Sequence, residues 1–206
     1  FSSFTVYIPP GNSSTTTAKS VRLSFGRGCS ILWLANANRL REEPQKILLV
    51  IQLILYCLLF FLMVKAAVKD NGMNCLYFYP PAFIDEAARR GLADKDETMK
   101  RGKRFIVPFC IIMLVVLVLI IAVWNRVTTF TAAYWQAVLF LVVMNWFDGI
   151  CMDLVWVAHG KEWAIPGMEG IPYIKPLKSV LIKRTAGTVL YFIIALPVAG
   201  AAVLAG

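Results

Sequence analysis

The chain has 206 residues, of which 59% are hydrophobic and only 16% are charged, and its mean hydropathy is +0.67. This balance argues against a water-soluble domain. The formal net charge is +9, but the basic residues flank apolar runs, so the charge indicates orientation in a membrane and nucleic acid is not expected as a partner.

Residues 1–45 differ in composition from the rest of the chain. They begin with "FSSFTVYIPPGNSSTTTAKS", which is rich in Ser and Thr and lacks the ordered charged, apolar and cleavage regions of a secretory signal. We expect this segment to be disordered, or to be a gene-call extension in front of a real start near Lys46. Residues 46–206 then form the membrane domain.

Four apolar runs are long enough to cross a bilayer as helices, which takes about twenty residues. They predict spans at about 47–68, 105–124, 130–153 and 185–205. Only "NRVTTFT" separates the second run from the third, which predicts a tight antiparallel hairpin. The predicted fold class is all-α: a polytopic membrane protein with four transmembrane helices in a bundle and two loops that carry short interfacial helices.

The first long loop contains "YFYPPAFIDEAARRGLADKDE". Pro80 and Pro81 can open a short helix that runs to Arg90, Gly91 suits its C-terminal cap, and Asp94 can cap the helix of the second span. The apolar residues of this short helix favour either a solvated connector or a helix that lies on the membrane surface or on a partner.

The second long loop, "KEWAIPGMEGIPYIKPLKSVLIKR", has too many prolines and glycines for a long helix and too many apolar residues for a free loop. We expect it to lie on the headgroups or to fold back against the bundle, with its lysines attracted to anionic lipid. Residues 69–104 and 159–184 are therefore the candidate contacts for anionic headgroups and for a protein partner.

The distribution of Lys and Arg predicts the orientation. Fourteen lie on the side of the two long loops and seven on the other side. Because positively charged loops stay in the cytoplasm, we expect both long loops to be cytoplasmic and both termini to be outside, in the cell membrane. Trp124, Trp135, Trp156 and Trp163 lie at the ends of runs and are predicted interface anchors.

Polar residues interrupt the third run in "NWFDGICMDLVWVAHGKEW". Asn145 and Asp148 share a helical face inside the apolar boundary, and an intramembrane acid is a candidate functional group. Asp148 either pairs with another helix and fixes the bundle, or exchanges a proton or binds a cation. Asp153 points about 140° away on an α-helix, and it and His159 are weaker candidates because both are expected where the helix emerges into water.

The five cysteines and the single histidine show no ligand spacing, so no metal site and no cofactor is predicted. The stretches "YFYPPAFIDEAARRGL", "AVWN" and "MNWFDGICMDLVWVAHGKEWAIPGMEGIPYI" resemble a group of bacterial four-helix membrane proteins without an assigned activity. The resemblance covers Ile47 to the C-terminus and implies the same four-span architecture.

These observations predict a small integral membrane protein with a structural or accessory role. One alternative is a transporter or proton-linked permease subunit that uses Asp148. A second alternative is a membrane-embedded enzyme acting on a lipid-like substrate, in which Asp148, Asp153 and His159 come together. An enzyme is less favoured, because no two of these groups form a ready catalytic pair on a single α-helix.

Overall fold

The computed structural model describes the backbone of residues 27–69, 71–171 and 173–206, and side chains from residue 45 onward within those ranges. The chain divides into two units, residues 1–48 and residues 49–206, and the bundle described below is the second. The disorder or gene extension expected for residues 1–45 falls mainly outside the described residues. A helical backbone begins at Arg27.

Every helix and turn of helix in the described residues can be placed in chain order. The α-helices are α1 (Arg27–Val68), α2 (Pro81–Arg89), α3 (Lys95–Leu119), α4 (Phe130–Phe147), α5 (Val157–His159) and α6 (Leu177–Ala205). Two π-helical segments, Ile120–Trp124 and Asp148–Trp156, continue α3 and α4, and short 3-10 helices cover Gly72–Phe78 and Lys161–Trp163.

Four of these continuous helices are long and apolar enough to cross a membrane: Gln45–Val68, Lys95–Trp124, Phe130–His159 and Leu177–Ala205. The prediction of an all-α protein with four spans is confirmed. The second and fourth helices begin before their apolar runs because polar residues at the loop side join each helix. The third helix continues six residues past Asp153, to His159.

The predicted caps explain where α2 and α3 begin. Pro81 occupies the first turn of α2, where a missing N–H costs nothing. Gly91 follows the helix with φ of 71°, a conformation that glycine adopts without strain. Asp94 accepts a hydrogen bond from the backbone N–H of Glu97 at 2.7 Å and caps α3.

One end of the bundle, here called the hairpin end, contains residues 125–129. Gln52 of α1 is 1% exposed, and its amide donates to Asn125 at 2.7 Å. Asn125 donates in return to Gln52 at 3.1 Å and to Gln136 of α4 at 3.0 Å. This amide cluster satisfies polar groups that would be costly in an apolar bundle and joins the first three spans.

Helices α4 and α6 form the most extensive pair in the bundle. In a membrane the hydrophobic effect does not drive helices together, so their association depends on close packing, which small side chains permit. Fully buried alanines occur on both partners: Ala133, Ala137, Ala195, Ala199 and Ala202.

Helix α1 contacts the other spans through large side chains. Tyr56 packs edge-to-face on Phe140 with ring centroids 5.5 Å apart, and its hydroxyl donates to the Met113 carbonyl at 3.1 Å. Phe60 packs on Phe109 in the same manner at 5.3 Å. Such pairs add specific geometry to apolar burial.

The opposite end, here called the loop end, contains residues 69–94 and 160–176. The two loops fold against each other: the Tyr79 hydroxyl donates to the Trp163 carbonyl at 2.7 Å, and Arg90 donates to the Gly167 carbonyl at 2.5 Å. Of the two positions expected for the second loop, the structure has the one folded back against the bundle, with Ile165 and Met168 buried.

The apolar face of α2 is covered by the chain itself. Phe83, Ile84 and Ala87 are all buried, and Phe83 stacks on Tyr79 with centroids 4.8 Å apart. Leu92 remains 40% exposed. The face that the sequence offered to a membrane surface or a partner is therefore occupied by intramolecular contacts, apart from Leu92.

Candidate functional site

Arg184 of α6 binds two carboxylates from the third span. Its Nη1 donates to Asp148 Oδ2 at 2.5 Å, and its Nη2 donates to Asp153 Oδ2 at 2.6 Å. Lys175, just before α6, donates to Asp153 Oδ1 at 2.8 Å. The side chains of Arg184 and Asp153 are each 7% exposed. These four residues, here called the charge network, balance two negative with two positive charges.

The π-helical segment explains how Asp148 and Asp153 reach one guanidinium. On an α-helix residues five apart diverge by about 140°, which predicts that Asp148 and Asp153 face different ways. In a π-helix the hydrogen bonds join residues five apart, so such residues lie much closer to the same face. The segment Asp148–Trp156 is π-helical, and both carboxylates consequently face α6.

Asn145, one turn before Asp148, belongs to the same contact with α6. Its amide donates to the Arg184 carbonyl at 2.8 Å and to Thr188 Oγ1 at 3.1 Å. A Cβ atom built on Gly187 would lie 3.1 Å from Asn145 Oδ1. Because glycine has no side chain, the Asn145 amide can pack closely against α6 here. Asn145 thus positions the backbone that carries Arg184.

The Arg184 side chain crosses the third span at Gly149 and packs directly against its backbone. A Cβ atom built on Gly149 would lie 2.7 Å from Arg184 Cγ and 3.1 Å from Arg184 Cδ. A Cβ atom essentially never lies closer than 3.0 Å to an atom it is not bonded to, so the aliphatic part of Arg184 occupies the space where any other residue would place its side chain.

A cavity of about 400 Å³ lies beside the charge network and reaches between all four spans. Most of its wall is apolar or aromatic, with contributions from Tyr56 and Phe60 of α1, Met113 of α3, Leu141 of α4 and Ile194 of α6. The loop end is closed by side chains from both loops, among them Tyr79, Trp163 and Tyr173. Its volume lies within the range of about 300–1,000 Å³ that is typical of ligand pockets.

The charged residues of the wall all lie at one end of the cavity. They are Asp148, Asp153, Lys175, Lys183 and Arg184. The three wall residues with exposed side chains are Ile106 and Cys110 of α3 and Lys183 of α6. The cavity is therefore amphiphilic, and its exposed wall residues place an opening between α3 and α6.

Two buried donors in the wall have no acceptor among the described residues. They are Nε1 of Trp163 and Nε of Arg184, in residues that are 2% and 6% exposed. Buried N–H groups are almost always paired in folded proteins. These two atoms are exceptions, and neither has surface open to the cavity.

The predicted site residues do not all meet. Asn145, Asp148 and Asp153 come together at Arg184, whereas His159 is exposed and its Nδ1 lies 2.9 Å from the Val155 carbonyl one turn back. Among the described residues, no three His, Cys, Asp or Glu side chains are grouped as metal ligands.

The four tryptophans predicted as interface anchors differ in their exposure. Trp124 and Trp135 are 51% and 58% exposed, and Trp156 is partly buried, donating to Glu162 Oε1 at 2.6 Å. Trp163 is 2% exposed and packs edge-to-face on Trp156 at 5.2 Å, because the second loop folds back against the bundle. The role of the four rings as interface anchors stays a prediction.

Sequence reasoning missed Arg184, Lys175 and Lys183 as site residues. All three lie in or beside "PLKSVLIKR", whose positive charge predicts contact with anionic headgroups. A buried acid in one span requires a partner, and a basic residue at the start of a neighbouring apolar run is the sequence signal that could have supplied it.

Together, the fold and the site define a multi-pass integral membrane protein with an amphiphilic cavity between its spans and a buried charge network at one end. No protein-family model, curated protein or solved structure matches the chain. The proposal for its function therefore rests on the residues of the site and their geometry.

Proposed function

We propose that the protein is an accessory component of the membrane that holds a lipid-like amphiphile in its cavity. The observation that carries the proposal is the cavity itself: about 400 Å³ in volume, apolar along most of its wall and charged at one end. An elongated molecule with a hydrocarbon chain and a polar head matches that division of the wall.

The charge network has a structural role in this proposal. Arg184 joins the third and fourth spans through Asp148 and Asp153, and removing one partner from a buried ion pair leaves an uncompensated charge. The network fixes the loop end of the bundle and keeps the charged end of the cavity in place.

Proton-coupled transport through Asp148 is the weaker proposal. A carboxylate that exchanges protons or binds cations needs to be free of a permanent cation, but Arg184 donates to Asp148 at 2.5 Å. An enzyme built on Asp148, Asp153 and His159 is also weaker, since the exposed His159 ring hydrogen-bonds to the Val155 carbonyl of its own helix and not to either carboxylate.

The orientation is part of the proposal. The two long loops carry fourteen of the twenty-one Lys and Arg residues, which favours a cytoplasmic position for the loop end in the cell membrane. The charged end of the cavity would then lie at the level of the cytoplasmic headgroups.

Binding of an uncharged long-chain alcohol tests the proposal independently of the charge that the polar head of the natural ligand carries. Tritiated hexadecanol is titrated into purified protein in nanodiscs of zwitterionic lipid, and the saturable component is measured. We expect about one bound molecule per chain. Leu141, which is 2% exposed and lines the cavity, is replaced by Trp to fill it.

The matched control is Leu139→Trp, because Leu139 is on the same helix but is 37% exposed and lies outside the cavity wall. We expect Leu141→Trp to lose saturable binding and Leu139→Trp to keep it, with thermal unfolding showing that both variants are folded. Absence of saturable binding in the unmodified protein, or equal binding in a folded Leu141→Trp variant, would refute the proposal.

A further inference from the structure

Lys183 is the charged wall residue that the charge network does not use. In the described part of the chain it makes no ion pair within 4.0 Å and no side-chain hydrogen bond, although it lines the cavity beside Arg184. The other four charged wall residues balance each other, so Lys183 leaves the charged end with one positive charge in excess. An anion at this end would be favoured by that charge.

The ammonium of Lys183 points to the same chemistry. It can donate but cannot accept hydrogen bonds, and it has no acceptor among the described residues. A phosphate or carboxylate oxygen accepts from such donors, and charge-assisted hydrogen bonds of this kind are stronger than neutral ones. An ammonium head has no acceptor to offer.

The position of Lys183 suits a headgroup rather than a deeply buried ion. Together with Ile106 and Cys110 it is one of the exposed wall residues, at the opening between α3 and α6. The apolar wall, including Met113, Leu141 and Ile194, extends from there between the spans. A molecule that entered from the bilayer would keep its head near Lys183 and its chain in the apolar part.

We propose that the cavity binds an amphiphile with one hydrocarbon chain and an anionic phosphate or carboxylate head, which enters laterally between α3 and α6 and is recognised by Lys183. This inference rests on the proposed binding function and adds the charge of the head, the residue that recognises it and the route of entry.

Three competitors with the same chain and different heads test this inference. Hexadecyl phosphate, unlabelled hexadecanol and hexadecyltrimethylammonium each displace tritiated hexadecanol from the protein in zwitterionic nanodiscs. We expect the phosphate to compete about tenfold better than the alcohol and the ammonium to compete least. Equal competition by all three would overturn the anionic head while leaving the binding function intact.

Variants of Lys183 locate the preference. We expect Lys183→Gln to remove most of the advantage of the phosphate over the alcohol, each measured against the tritiated hexadecanol bound by the same variant, and Lys183→Arg to retain it. Lys178→Gln is the control, since Lys178 is exposed on the same helix and lies outside the cavity wall. A full phosphate advantage in Lys183→Gln, or its loss in Lys178→Gln, would overturn the assignment.

Inorganic phosphate distinguishes a headgroup site from a site for a free anion. We expect millimolar inorganic phosphate to leave the displacement curve of hexadecyl phosphate unchanged, because the chain supplies most of the binding free energy. A shift of that curve would mean that the site takes a free anion, against the lateral route. Absence of any saturable hexadecanol binding would instead refute the underlying binding function.

Discussion

Arg184 holds Asp153 across the interface between the third and fourth spans, with Nη2 and Oδ2 2.6 Å apart and both side chains 7% exposed. Asp148 binds the other terminal nitrogen of the same guanidinium. A buried pair of this kind stabilises little relative to an apolar replacement, but breaking it on one side is costly. Its energetic role is therefore best measured by removing the shared cation.

We expect Arg184→Met to reduce the free energy of unfolding by about 3–5 kcal/mol, because it leaves Asp148 and Asp153 without their common partner. Thermal unfolding in detergent measures the loss. Adding Asp148→Asn and Asp153→Asn to the same chain removes the uncompensated charges, and we expect it to recover part of the stability. A fully stable Arg184→Met protein would contradict the role given to the charge network.

The contact between Gly149 and Arg184 gives a second prediction. Gly149→Ala would place a methyl group 2.7 Å from Arg184 Cγ, and we expect a loss of about 1–3 kcal/mol from overpacking. The control is Gly200→Ala on α6, where an added Cβ has no neighbour within 4 Å. Since alanine favours a helix over glycine by up to about 1 kcal/mol, the two substitutions should change the melting temperature in opposite directions.

The fold could be predicted further than the site. Four long apolar runs predict four spans, because few structures other than helices satisfy the hydrogen bonds of the backbone within a bilayer. Asp94 and Gly91 indicate helix ends through local chemistry that does not depend on distant contacts. These features are read from residues adjacent in sequence.

The site depends on features that are not local. The convergence of Asp148 and Asp153 requires a π-helical segment, and an α-helical period places them on different faces. Arg184 lies 31 residues from Asp153, so no local pattern joins them. The burial of Trp163 likewise depends on the hydrogen bond between Tyr79 and the Trp163 carbonyl, which are 84 residues apart.

The Tyr79 hydroxyl makes stability depend on alkaline pH. Burial raises the pKa of Tyr79 above its value of about 10 in the unfolded chain. The folded state therefore holds the proton more tightly, and this contribution to stability is fully present below pH of about 10 and is lost as the pH rises above it.

We expect Tyr79→Phe to lower the free energy of unfolding at neutral pH by about 1–3 kcal/mol, because the buried Trp163 carbonyl loses its donor. The difference from the unmodified protein should shrink as the pH rises above about 10. Unfolding by denaturant at a series of pH values measures both effects. Tyr134→Phe is the control, since that hydroxyl donates at 3.3 Å in an exposed position, and a similar loss there would contradict the prediction.

The excess of Lys and Arg on the two long loops predicts the sidedness of the bundle. We expect alkaline phosphatase fused after Gly206 to be active, because the proposed orientation puts that terminus outside, and green fluorescent protein at the same position to be dark. The same reporters inserted after Gly170, an exposed residue of the second loop with φ of 84°, should give the opposite result. Active phosphatase after Gly170 would place the charged end of the cavity on the outer side and contradict the proposed orientation, whereas the bundle and its cavity would be unaffected.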